Sequence, residues 1–214
     1  AASEIRRDFR LRKVQASLIR IRFRYFSGDM ENLSLNSLRK CVSLRLHISA
    51  SWAIDSSSLV ASVAVVTDDI LTAEYTINFK KTHSQTLLPM IDEISKMIEL
   101  DMETIDAIAI TGGPGSFTGL RIGSATAKGF GLALNKPIIN VPTIDAMAYN
   151  FYSSNYIICP IMDARRQQVY TGIYYFEQTH MKILKEQCAI SVENLIDELD
   201  KRGKTVMFLG DGVP

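Results

Sequence analysis

Two hydrophobic periods alternate along most of the chain. Trp52-Ala53-Ile54 leads into the polar Asp55-Ser56-Ser57-Ser58, and the apolar runs Leu59 to Val66 and Ile70 to Ile77 follow across Asp68-Asp69. Short β-branched runs separated by polar breaks predict three strands in antiparallel order. Leu87, Ile91, Ile94 and Ile98 then recur at helical spacing behind Thr82-His83-Ser84-Gln85, which has the Thr-x-x-Gln form of a capping box. An amphipathic helix is therefore predicted from His83 to Leu100. Pro89 either kinks this helix or marks its true first turn.

The centre of the chain is Ala107-Ile108-Ala109-Ile110-Thr111 followed by Gly112-Gly113-Pro114-Gly115-Ser116, which reads as strand, tight turn and then a helix from Ser116 to Leu134. Gly119, Gly123, Ala127 and Gly131 recur every fourth residue and place a nearly bare stripe on one helix face. Gly119, Gly123, Gly129 and Gly131 together cost this helix roughly 4 kcal/mol relative to alanine, at about 1 kcal/mol each. A close approach must offset that cost, with another helix, the chain's own sheet or a ligand as the three candidate neighbours. Arg121 and Lys128 exclude a membrane helix of the small-residue type.

Further along, Pro137 to Val141 predicts a strand, and Thr143 to Tyr149 a helix behind Pro142. The three-strand pattern then returns as Tyr156 to Met162, Gln168 to Phe176 and Lys182 to Ile190. A helix from Ser191 to Lys201 and a strand from Val206 to Leu209 follow. The order βββαβα followed by βββαβ is a weak internal duplication with matching corners. Asp55 stands before Ser56-Ser57-Ser58 in the first copy, and Asp163 before Ala164-Arg165-Arg166 in the second. Each aspartate sits at a strand end, where a ligand between two lobes would lie, and each equally suits a carboxylate that only accepts turn amides.

With 214 residues and 47% hydrophobic content, the chain can bury one large core or two small ones. Its net charge of +1 conceals an asymmetry. Residues 1–50 hold 11 Lys/Arg against 4 Asp/Glu, and the remainder 13 against 19. Within that segment Ile19 to Tyr25 alternates apolar and cationic side chains. This fits an arm for nucleic acid or another acidic surface, and also an extension outside the folded unit. The expected organisation is a basic extension over 1–50, a first lobe over 51–152 and a second over 153–214. Cys41, Cys159 and Cys188 form no metal pattern, and a reducing cytoplasmic setting is expected. No apolar run is long enough for a membrane helix.

The candidate chemistry is sparse. No window supplies Gly-x-x-x-x-Gly-Lys-Ser/Thr, and Thr118 stands where the third glycine of Gly-x-Gly-x-x-Gly belongs. Backbone amides near Ser116 to Thr118 remain a candidate phosphate cradle at a helix start, with Gly113, Gly115, Asp55, Ser56, Asp163 and Arg165 as the associated cleft residues. Arg165 either braces Asp163 or reaches RNA phosphate. His47, His83 and His180 are too scattered to bind a metal on one helix turn, and no Ser/His/Asp or Cys/His nucleophile can be argued from their spacing.

Several of these segments together resemble the TsaB family, also called YeaZ. They are Ala53-Ile54-Asp55-Ser56-Ser57, His83-Ser84 with Leu88-Pro89, Gly113 to Gly123, Val141-Pro142-Thr143, and Asp163-Ala164-Arg165-Arg166 with Val169-Tyr170. The resemblance runs from about Ser51 to Gly212 and implies the actin/Hsp70/sugar-kinase (ribonuclease H-like) α/β fold, with two βββαβα lobes. It also implies a non-catalytic subunit of the bacterial machinery that makes threonylcarbamoyladenosine at A37 of tRNA. That subunit would pair with the transferase TsaD, with TsaE as a further partner, a homodimer as another state of the same surface, and tRNA met through the complex.

Carried onto this chain, the pairing surface would be Leu87, Ile91, Ile94 and Ile98 with Gly119, Arg121, Gly123, Ala127 and Gly131. Gly123→Leu is then expected to block pairing without unfolding. No intrinsic cofactor or metal is implied; ATP or ADP with Mg is expected only at the assembled complex. Family members begin near Trp52 and continue past Gly212, so the second lobe is expected to be incomplete. The alternative function is an ATP- or phosphate-binding enzyme of the same fold.

Overall fold

A computed structural model describes residues 50–67, 70–79, 82–151, 154–177 and 180–212. The basic segment up to residue 49 and the Asp68-Asp69 turn lie outside the described residues. The described chain forms two compact units that divide between Ala146 and Met147.

In the unit ending at Ala146, β1 (Ala50–Asp55), β2 (Ala61–Thr67) and β3 (Ile70–Ile77) pair antiparallel, as the apolar runs predict. β4 (Ala107–Thr111) and β5 (Ile138–Val141) add in parallel, giving the order β3-β2-β1-β4-β5. Every residue of β1 and β4 is buried, so these central strands read as continuous apolar runs rather than alternating ones. One sheet face carries the main core of Trp52, Ile54, Val63, Val65, Ile108 and Ile110, and the other is lined by Ala53, Ala64, Val66 and Ala109.

Two helices cover the main core face. α1 (His83–Met97) places Leu87, Met90, Ile91 and Ile94 in the core, and α2 (Phe117–Ala133) lies against α1 and β4. Thr82 occupies the N-cap position of α1, yet its hydroxyl meets Ser84 Oγ at 3.1 Å and caps no amide. The expected Thr82/Gln85 capping box is therefore not formed. Pro89 sits inside α1 rather than at its start. α3 (Thr143–Ala148) follows β5 and leads into a short 3-10 turn at Tyr149–Phe151.

In the unit beginning at Met147, β6 (Ile157–Asp163), β7 (Gln168–Glu177) and β8 (His180–Ser191) form the second antiparallel meander. α4 (Val192–Asp200) leads to β9 (Val206–Leu209), which pairs parallel with β6. The order β8-β7-β6-β9 repeats β3-β2-β1-β4 of the first unit. The first and fourth strands are parallel in both copies, so the duplication read from the sequence is a duplication of topology. Its core is Ile157, Cys159, Ile161, Val169, Ile173, Leu195 and Leu199. Glu198 on α4 bridges Lys185 and Arg202, closing the helix onto β8.

Candidate functional site

The corner after β1 is built by the polar run that ends the strand. Asp55 is buried, and its Oδ1 accepts from the Ser57 amide at 3.0 Å, the Ser57 hydroxyl at 2.8 Å and the Thr111 hydroxyl at 2.7 Å. Three donors on one oxygen hold the carboxylate in place from two adjacent strands. The next step of the turn is given over to the glycine motif. Ser57 O accepts the Ser116 amide at 2.7 Å, and Gly115 lies so close to that carbonyl that a Cβ there would overlap it. Gly113 has φ +107, a conformation side chains rarely adopt, and its carbonyl accepts the Thr143 amide at 2.8 Å.

Two amides at the start of α2 are satisfied from within the protein. Ser116 is its N-cap, with Oγ accepting the Gly119 amide at 3.3 Å, while Ser57 O takes the Ser116 amide. His83, the first residue of α1, joins the same corner. Its Nε2 lies 2.8 Å from Ser58 O and therefore carries the proton, since a carbonyl only accepts. Of the candidate cleft residues, Asp55, Ser56, Gly113, Gly115 and Ser116 are thus brought together, whereas the Thr118 side chain is exposed. A phosphate at this turn would have to displace the Ser57 carbonyl, the negative end of a dipole. Of the cradle expected from the sequence, the Ser116 amide is taken by the Ser57 carbonyl.

The bare stripe of α2 faces the same corner. A Cβ on Gly119 would strike Ser56 O and the His83 ring, one on Gly123 would strike Ser56 Oγ and Ile110 Cδ1, and one on Gly131 would meet Ile138. Ser56 Oγ also donates to Gly119 O at 2.9 Å. Ala127 is fully buried. Of the three neighbours the stripe allowed, the structure supplies the chain's own turn and sheet. This corrects the expected pairing surface: Gly119, Gly123, Ala127 and Gly131 are spent on internal packing, and Leu87, Ile91 and Ile94 are at most 3% exposed in the core. Ile98 packs partly buried against that core. Gly123→Leu would disrupt the fold before it tested any partner.

The outward stripe of α2 is different in kind. Phe117 is 74% exposed and Leu132 is 86% exposed, with Arg121, Ala125 and Gly129 exposed between them. The Arg121 guanidinium lies 5.3 Å from the Phe117 ring centroid, a cation–π contact that holds both side chains on this face. Gly129 has open space around it. Arg121 is therefore the one residue of the expected surface that is exposed on α2.

The second corner repeats the first hydrogen bond in a different setting. Asp163 Oδ1 accepts the backbone amide of Arg165 at 2.7 Å, the same two-residue step as Asp55 to Ser57, but here the carboxylate is exposed. The brace between these residues is thus main-chain, and the expected guanidinium–carboxylate pairing is not the contact formed. Arg165, Arg166 and Gln167 have φ of 62, 52 and 61°, three successive non-glycine residues in the left-handed region. Each costs on the order of 1 kcal/mol or more. Cross-turn bonds hold them: Ala164 N–H to Gln168 O at 3.0 Å, Gln168 N–H to Arg165 O at 3.0 Å and Val192 N–H to Gln167 O at 3.4 Å.

No group of three His, Cys, Asp or Glu side chains able to hold a metal ion occurs among the described residues. Burial pushes the Cys159 thiol up to about 12, against its hydrogen bond with Thr171, which acts the other way, so it stays protonated at neutral pH. No helix of the described chain is long and apolar enough to cross a membrane.

Two sheets of matching 3-2-1-4 order, each with a polar corner after its first strand, define a protein of the actin/Hsp70/sugar-kinase class. Within that class the family model for TsaD, tRNA N6-adenosine threonylcarbamoyltransferase, matches residues 71–209. The tRNA threonylcarbamoyladenosine biosynthesis protein TsaB of Bacillus subtilis is 32% identical over 158 residues, 74% of this chain and 69% of that protein. The TsaB protein of Escherichia coli is 33% identical over 144 residues, 63% of this chain and 62% of its own length. The solved structure of YeaZ from Pseudomonas aeruginosa superposes with a TM-score of 0.60 at 28% identity, covering 68% of each chain. The chain belongs to the TsaB/YeaZ family, and its matches span roughly two thirds of these relatives' lengths.

Proposed function

We propose that this chain acts in tRNA threonylcarbamoyladenosine biosynthesis as a non-catalytic subunit that pairs with TsaD through the outward face of α2. The observation that carries the non-catalytic reading is the Ser57 carbonyl seated on the Ser116 amide. It spends the first amide of the corner on the chain's own backbone, which weighs against an ATP- or phosphate-binding enzyme of the same fold.

The pairing reading rests on the stripe Phe117, Arg121, Ala125, Leu132. Single exposed apolar residues are ordinary, but Phe117 and Leu132 lie on one helix face with the small residues Ala125 and Gly129 and the cation Arg121 between them. A partner built on the same family model would offer an equivalent helix face, so that two like surfaces meet about a pseudo-twofold axis. Self-association through this face and recruitment of TsaE are further states of the same assembly, with the cytoplasm as its site.

Reconstitution tests this directly. TsaD, TsaE, an enzyme supplying threonylcarbamoyl-adenylate and unmodified tRNA are assayed with and without the chain. The expected result is modification that depends on the chain, with no ATP hydrolysis by the chain alone. Modification at the same rate without it would overturn the proposal.

A further inference from the structure

The corner at Asp163–Gln168 is strained, exposed and free of a role in its unit's core. We infer that it is a phosphate-contact surface for RNA, presenting Arg165 and Arg166 to the backbone of the tRNA; this rests on the proposed part in tRNA modification. Three observations carry it. Arg165, Arg166 and Gln167 occupy the left-handed region in succession with no glycine among them. Strain of this kind persists where the surroundings over-determine the backbone, and it gathers at binding sites. The side chains of all three are exposed.

The second observation concerns charge. Asp163 spends its Oδ1 on the Arg165 amide, and neither Arg165 nor Arg166 enters an ion pair among the described residues. Two exposed arginines therefore stand at neighbouring positions of a backbone tied by three main-chain hydrogen bonds. Planar forks of donors match phosphate oxygens bidentately, and a pre-ordered turn loses little freedom on binding. The third observation is the contrast with the equivalent corner. Asp55–Ser58 makes the same aspartate-to-amide bond but is buried under α2 and carries no cation. The duplication therefore keeps one corner closed and leaves the other open and cationic. Phosphate contacts of this kind position RNA without reading its sequence.

The test is equilibrium binding of unmodified tRNA to the full chain across a salt series, comparing the unsubstituted protein with Arg165→Asn/Arg166→Asn. Asparagine tolerates the left-handed region, so the turn survives while both charges go. The expected result is roughly tenfold weaker binding and a salt slope lower by about 1.5, close to two lost phosphate contacts. Lys201→Asn, on an exposed lysine elsewhere in the unit, should change neither quantity by as much.

Equal affinity and equal slope for the double variant would overturn the inference. So would inorganic phosphate or ATP displacing the tRNA at equimolar concentration, since that marks a small-anion site. Co-elution of the double variant with TsaD is measured in parallel and should be unchanged. Failure of the unsubstituted chain to co-elute would refute the pairing proposal and leave the tRNA result standing on its own.

Discussion

Ser56 Oγ lies so close to where a Cβ on Gly123 would sit that the two would overlap, and the same hydroxyl donates to the carbonyl of Gly119 one turn earlier in α2. The corner after β1 and the glycine helix are thus one packed object. Gly119 and Gly123 let a strand-end turn reach the helix backbone.

A single substitution made at two places on α2 should therefore have opposite signs. Gly129→Ala meets open space and is expected to stabilise the chain by about 0.4–1 kcal/mol. Gly119→Ala drives a Cβ into the Ser56 carbonyl and is expected to cost about 1–3 kcal/mol or more. Urea unfolding followed by the fluorescence of Trp52, the sole tryptophan and a buried one, measures both. Two stabilising results would show that the stripe is not packed internally.

Asp55→Asn addresses the corner as a structural clasp. Asparagine keeps one acceptor oxygen for Ser57 and Thr111 but removes the charge that strengthens all three bonds, and should cost about 1–3 kcal/mol. Reconstituted tRNA modification at a temperature where the variant is fully folded should be nearly unchanged. A loss of several hundredfold with intact folding would instead assign the carboxylate to chemistry.

The Glu198 bridge gives the second unit an acid limb. The hydrogen bond from Lys185, with further help from Arg202, lowers the carboxyl below its usual 4.5. A depressed folded value means that the bridge contributes above the unfolded value and is lost as pH falls through the folded one. Stability measured from pH 6 downward should begin to drop near 4.5, and Glu198→Gln should flatten that drop. An identical acid limb in the variant would remove the bridge from the account.

Much of this architecture was legible in the chain. The apolar runs at Trp52–Ile54, Ala107–Ile110 and Tyr156–Met162 have the length and β-branching of strands, and the repeated order of elements exposed the duplication. Asp55 and Asp163 were visible as matching corners because both end an apolar run. The facing of the helices was not legible. Periodicity shows that Leu87, Ile91 and Ile94 share a face with one another, but a core and a partner are equally apolar destinations. The same holds for the small stripe, whose first half, Gly119 and Gly123, faces the Ser56 turn 60 or so residues earlier in the chain. Nor did Arg165-Arg166-Gln167 announce a left-handed turn, since glycine, the usual sign of one, is absent.

The central claim is that TsaD docks on the outward face of α2 and not on its glycine face. Co-purification of TsaD with Phe117→Asp/Leu132→Asp tests it most directly, because both side chains are exposed and their loss leaves the core untouched. The predicted result is a folded chain, with unfolding midpoint within about 0.5 kcal/mol of the parent, that no longer co-elutes with TsaD. Undiminished co-elution of the folded double variant would contradict the account.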